Sequence, residues 1–197
     1  MKKLKIMGAI ILTTATAAVA QSTVTWGIDA SHTKVTFSVT HLMISETEGR
    51  FKVFDGKVTT AKDDFSDASI DFNIDVASIN TDDEKRDGHL KSDDFFNAEK
   101  YPKMTFKSKS FKKVDGKKYT LTGDLTIRDV TKTVEFDVIY NGTVKDPWGN
   151  TKAGFNLKGK INRTDYNLKW NAVIEAGGMV VGEIVTINCL IELGKQK

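Results

Sequence analysis

The chain has a single cysteine, Cys189, and only two prolines in 197 residues. One thiol excludes an intramolecular disulfide and the paired-cysteine zinc and redox motifs. After residue 20 no apolar run approaches the ~20 residues of a membrane-spanning helix. There is no basic run either. The 29 Lys and Arg face 26 Asp and Glu, and Lys2, Lys3 and Lys5 stand together at the N-terminus, so the rest of the chain is balanced. A balanced domain lacks the electrostatic footprint of a nucleic-acid binder. A G-x-S-x-G elbow and a glycine-rich phosphate loop are also missing, and His32, His41 and His89 have no short metal-ligand spacing. No catalytic set and no metal site is expected from these residues.

The N-terminus is informative. Met1-Lys2-Lys3-Leu4-Lys5 precedes an apolar stretch and small residues ending Ala18-Val19-Ala20, the pattern of a secretory signal cleaved after Ala20. The expectation is a signal peptide over 1–20, one domain over 21–197, and a periplasmic or secreted protein with no integral span after cleavage.

Alternation of apolar and polar residues recurs about eight times along the domain, as in half-buried antiparallel strands. It is clear in Val35-Thr36-Phe37-Ser38-Val39-Thr40-His41, in Gly49 to Thr60 with Asp55-Gly56 read as a bulge or turn, and in Ile70, Phe72, Ile74 and Val76. Met104 to Ser108 begins a strand that turns at Asp115-Gly116, and Tyr119, Leu121, Leu125 and Ile127 line its return. Val134, Phe136, Val138 and Tyr140, then Phe155, Leu157 and Ile161, then Val181 to Leu193 complete the set, with Asp146 to Asn150 as a turn. Cys189 shares a face with Val185, Ile187 and Ile191, which reads as a buried, inert thiol.

The pattern predicts an all-β fold, an eight-stranded antiparallel barrel whose closure removes its sheet edges. Such a barrel holds either packed side chains or one small ligand, and alternation alone does not choose. The sequence reads as having one long break, Ser78 to Pro102, expected to form a short helical lid segment between strands 3 and 4. Thr81 is its expected cap, with Asp82, Asp83 and Glu84 in the first turn and Gly88 limiting its length. A second short turn from Ser92 to about Ala98 would aim Phe95 and Phe96 at the sheet.

Several of these segments resemble one family. Trp26-Gly27-Ile28-Asp29-Ala30-Ser31-His32 through His41, Gly49-x-Phe51, Ser78-Ile79-Asn80-Thr81, Arg86-Asp87-Gly88-His89-Leu90, Asp94-Phe95-Phe96 with Tyr101-Pro102, Gly123-Asp124-Leu125-Thr126-Ile127 and Ile161-Asn162-Arg163-Thr164-Asp165-Tyr166 are similar, in order and spacing, to the YceI-like family. The resemblance implies a lipocalin-like barrel that binds, stores or carries a polyprenyl chain, an isoprenoid quinone or another amphiphile such as a fatty acid, with that lipid as ligand and no cofactor. The chain departs from the family pattern at Arg128-Asp129-Val130-Thr131-Lys132, where a histidine and glycine often precede the threonine and lysine.

An apolar tail needs aliphatic and aromatic walls with a few polar groups at one end. Candidate walls are Phe37, Val39, Phe72, Ile74, Phe106, Leu121, Leu125, Phe136 and Phe155, and the lid would contribute Leu90, Phe95 and Phe96. Candidate head-group contacts are His41, Arg86, Asp87, His89 and Arg163, the last through its guanidinium fork. The competing readings are a lipid-modifying enzyme using Asp87 and His89, and a solid-core structural or protein-interaction barrel. The loop carrying Trp148 leaves room for a homodimer surface.

Overall fold

A computed structural model of the protein describes residues 22–175 and 177–196, so the expected signal peptide lies outside the described residues. Its strands are β1 Val24–Ile28, β2 Lys34–His41, β3 Ser45–Phe51, β4 Phe54–Thr60, β5 Ser69–Asp75, β6 Ile79–Asn80, β7 Lys103–Asp115, β8 Lys118–Ile127, β9 Val130–Lys145, β10 Thr151–Asn162 and β11 Val181–Lys195. The helix α1 spans Glu84–Lys91.

The eleven segments make eight staves. β1 and β2 lie in tandem along the same side of β11, and face β4 and β3 on their other side. Each stave is interrupted, β1 and β2 by the turn at 29–33, β3 and β4 at Lys52 and Val53, and β5 and β6 by the 3-10 turn Val76–Ser78. Every pairing is antiparallel, and the contact of β1 with β11 closes the ring. The result is the all-β eight-stranded barrel with a short helical segment between the third and fourth staves.

Four local expectations need correction. Asp55-Gly56 is not a bulge: β4 runs straight through it, and a Cβ on Gly56 would meet the Phe72 ring at 2.7 Å. The stave kinks instead at Lys52 and Val53. The cap of α1 is Asp83, whose carboxylate accepts from Arg86 N at 2.9 Å, because Thr81 is engaged elsewhere. α1 also continues past Gly88, which is exposed and crowds nothing, whereas residues 92–100 form the expected short turns, with Phe95 and Phe96 facing inward. Finally, there are two long breaks, since residues 163–180 join β10 to β11 without a strand of their own.

Chain direction sorts the connections. The 42–44 turn, the α1 segment, the Arg128-Asp129 tip and the 163–180 connection gather at one end, the mouth. At the other end, the floor, the 61–68 loop folds inward and the 146–150 turn leaves Trp148 83% exposed.

The closing seam carries a charge cluster. Lys152 on β10 reaches Asp29 just after β1, and its ammonium stands 3.3 Å from Glu192 on β11. The Lys152 hydrogen bond, aided by Ser31, holds the Asp29 carboxyl well below the usual carboxylate range. A depressed native pKa contributes stability above the unfolded value and loses it as acid protonates the native carboxylate. Asp29→Asn is therefore expected to cost ~1 kcal/mol at neutral pH, with the gap to wild type narrowing below about pH 4. Urea denaturation at pH 7 and pH 2.5 checks this, and a gap undiminished at pH 2.5 would refute it.

Candidate functional site

The barrel is hollow. Its deep lobe is a cavity of about 150 Å³ whose lining is entirely apolar and includes Phe72, Ile74, Phe106, Leu121, Leu125, Phe136, Phe155 and Cys189. A middle lobe of about 130 Å³ lies under the lid, lined by Phe37, Val39, Leu90, Phe95, Phe96 and Arg163 among others. An outer lobe of about 380 Å³ adds His41, Thr47, Thr81, Asp83, Lys85, Arg86, His89 and Trp170. The deep and middle lobes share Val35, Ile74, Leu125 and Ile187. The middle and outer lobes share Phe37, Val39, Leu90, Phe95 and Val181. Sharing these side chains, the three lobes lie in series along the barrel, a passage apolar at the floor and polar at the mouth.

Eleven phenylalanines would more readily fill such a barrel than leave it open. Inward glycines, Gly123 and Gly159 among them, contribute to the space. A Cβ on Gly123 would fall 2.4 Å from the Phe106 ring, and one on Gly159 would fall 2.2 Å from the Phe136 ring. These rings lie along the wall over the neighbouring strand, where any side chain would push them toward the axis. Glycine in a strand interior often marks such a close approach. The Cys189 thiol is 9% exposed in this wall, and burial pushes its pKa up to about 12, so it is inert.

The expected wall and lid residues all line the passage. Phe95 is 6% exposed, with ring centroids 5.5 Å from Trp170 and 5.0 Å from His89. Phe96 packs edge-on to Phe51 at 6.0 Å.

The five polar candidates separate. His41 and His89 line the outer lobe. The His41 imidazole has no hydrogen-bond or ion-pair partner among the described residues, its carbonyl being engaged by Ile44 N and Ser45 Oγ, whereas His89 Nε2 lies 2.9 Å from Asp94 Oδ2. Arg86 also lines this lobe, but its Nε donates to Thr81 Oγ1 and its Nη2 to Thr81 O, both at 2.8 Å. Asp87 is not in the lining. It is 8% exposed and accepts from Thr81 N at 2.8 Å and Thr81 Oγ1 at 2.6 Å, which ties α1 to the end of β6. Arg163 borders the middle lobe, yet it donates to the carbonyls of Gly182, Leu168, Trp170 and Val181. Asp87 and Arg163 are thus structural ties, because burial leaves their polar atoms only local partners.

Two mouth residues escaped sequence reading. Trp170 stands in the second long break, whose length was the missed signal. Arg128, at the point where the family pattern breaks, donates to Asp93 and to the carbonyls of Phe95 and Asn167. A metal-like grouping among the described residues, Asp29, His32 and Glu192, lies on the seam and includes neither mouth histidine. The Lys152 ammonium already stands between its carboxylates.

Comparison with known proteins places this geometry. A UPF0312 protein of Photorhabdus laumondii is 40% identical over 162 residues, covering 82% of this chain and 83% of its own. The crystal structure of a Campylobacter jejuni YceI protein superposes with a TM-score of 0.69 at 35% identity, over 80% of this chain and 90% of that one. A polyisoprenoid binding domain from Saccharophagus degradans, implicated in plant cell wall breakdown, shares the fold with a TM-score of 0.66 at 17% identity, over 87% of this chain and 98% of that one. The model of the YceI-like domain matches residues 26–193, and the chain belongs to the YceI-like family.

Proposed function

We propose that this protein binds and carries an isoprenoid-type lipid, a polyprenyl chain or an isoprenoid quinone, outside the cytoplasm after cleavage of its leader. The observation that carries the reading is the gradient of the passage, from a deep lobe with only apolar lining to a mouth bearing His41, Thr47, Lys85 and His89. The tail enters first, and the head stays at the mouth. A tail burying roughly 400 Å² gains on the order of 10 kcal/mol at ~25 cal/mol per Å², before association costs. The polar rim selects among heads more than it adds affinity. The fold shared with a polyisoprenoid binding domain supports the same reading. Catalysis by Asp87 and His89 is disfavoured, since Asp87 is buried outside the lining and its carboxylate is committed to Thr81.

The test is native mass spectrometry of protein purified without detergent from the exported fraction, followed by organic extraction. A stoichiometric isoprenoid species is expected. An empty protein that also refuses prenols and quinones would overturn the proposal in favour of an interaction barrel.

Leu90, Phe95 and Phe96 cover the middle lobe, which makes the α1 segment the gate. Phe95→Ala with Phe96→Ala is expected to raise the ligand off-rate at least tenfold, since it uncovers apolar surface worth ~1.4 kcal/mol or more. Stopped-flow displacement measures the rate, and an unchanged value would exclude gating by these rings.

A further inference from the structure

We infer that Phe65 is the stop that sets the longest tail the passage accepts, an inference that rests on the lipid-carrier reading. Phe65 does not come from a barrel strand. It is carried by the 61–68 loop, which folds inward beneath the staves. Its backbone is left-handed, with φ 60°, a conformation that a bulky residue holds only when its surroundings require it.

Those surroundings are rigid. Asp67 accepts from Thr60 Oγ1, from Ala61 N at 3.0 Å and from Lys62 N at 3.3 Å, and Tyr119 Oη donates to Asp64 O at 2.7 Å. The ring is 1% exposed and sits 5.1 Å from Trp26 and from Phe155 and 5.5 Å from Tyr140. One side of this aromatic floor faces the deep lobe. The Phe65 ring, on a braced loop, thus closes the floor of the deep lobe together with Ala68 and Phe155.

The distance from mouth to stop is fixed by the staves. β11 runs from Val181, at the outer lobe, to Leu193, at the deep one. A rise of about 3.3 Å per residue and a tilt of about 40° give a depth of about 30 Å. A tail that reaches Phe65 gains nothing from a further isoprene unit, which must protrude into water at the mouth.

The experiment uses the full domain and a ladder of all-trans prenols of increasing isoprene number, with retention read by native mass spectrometry and competition. Wild-type retention is expected to rise along the ladder and then level off. In Phe65→Ala the plateau moves to longer prenols, with on the order of a fourfold gain for each additional buried methylene. Phe65→Leu, which keeps an apolar floor and guards against loss of folding, moves it in the same direction by less. Val39→Ala, high in the passage, weakens every prenol without moving the plateau. A wild type with no plateau, or a Phe65→Leu plateau that coincides with the wild-type one, overturns the stop. A wild type that retains no prenol overturns the carrier reading instead.

Discussion

Arg163→Met is expected to unseat the mouth and cost about 3 kcal/mol of folding stability. The side chain is a hub of the 163–180 connection. It is 4% exposed, and it donates through Nε to Gly182 O at 2.8 Å, through Nη1 to Leu168 O and to Trp170 O at 2.9 Å, and through Nη2 to Val181 O at 3.2 Å. Without it these carbonyls lose a shared donor inside the fold, and a buried unpaired carbonyl costs its desolvation. Burial pulls the guanidinium pKa down, with Glu183 opposing, but arginine remains charged at any ordinary pH. Lysine cannot replace it, since one ammonium cannot address carbonyls on both sides of a planar fork. Arg163→Lys should therefore fall close to Arg163→Met in urea denaturation, and both should alter the fluorescence of Trp170. A stable Arg163→Met protein that lost discrimination among anionic heads would instead restore Arg163 to head-group recognition.

This reassignment illustrates how far the sequence reaches. Strand alternation is a local signal, so the staves and the inward positions of Phe72, Phe106 and Phe136 were legible. The hollow interior was not, because it depends on where a glycine falls across the neighbouring strand. Gly123 and Gly159 admit the Phe106 and Phe136 rings over their own backbones, a relation between strands that no single segment displays. The function of a polar side chain was equally hidden. Asp87 and His89 are two positions apart on one short helix, yet one turns to Thr81 and the other to the outer lobe. Phe65 lay unremarked in the stretch Asp63-Asp64-Phe65-Ser66-Asp67. An aromatic isolated in a polar turn was the available signal that the loop folds inward.

The hairpin tip where the family pattern breaks gives the second large effect, an Arg128→Gly protein whose lid opens about 30-fold more often. Arg128 has φ 55°, which glycine adopts without strain, so this substitution removes the side chain while relieving the backbone. Its Nη1 donates to Asp93 O at 3.1 Å, Phe95 O at 2.9 Å and Asn167 O at 3.3 Å, and its Nη2 to Asp93 Oδ1 at 2.8 Å. The Asp93 carboxylate is 80% exposed, so the ion pair itself contributes little. The carbonyl bonds matter more, because they hold the segment carrying Phe95 against the 163–180 connection. Losing them removes about 2 kcal/mol from the closed state, which corresponds to the 30-fold change. Hydrogen exchange over residues 92–98 should quicken by that factor while the barrel strands keep wild-type protection. Ligand release should accelerate in parallel, and Asp93→Asn should reproduce only a minor part of the change. If exchange in this segment matched wild type, the latch would be idle and Phe95 would be held by its other contacts, those with Trp170, His89 and Arg163 among them.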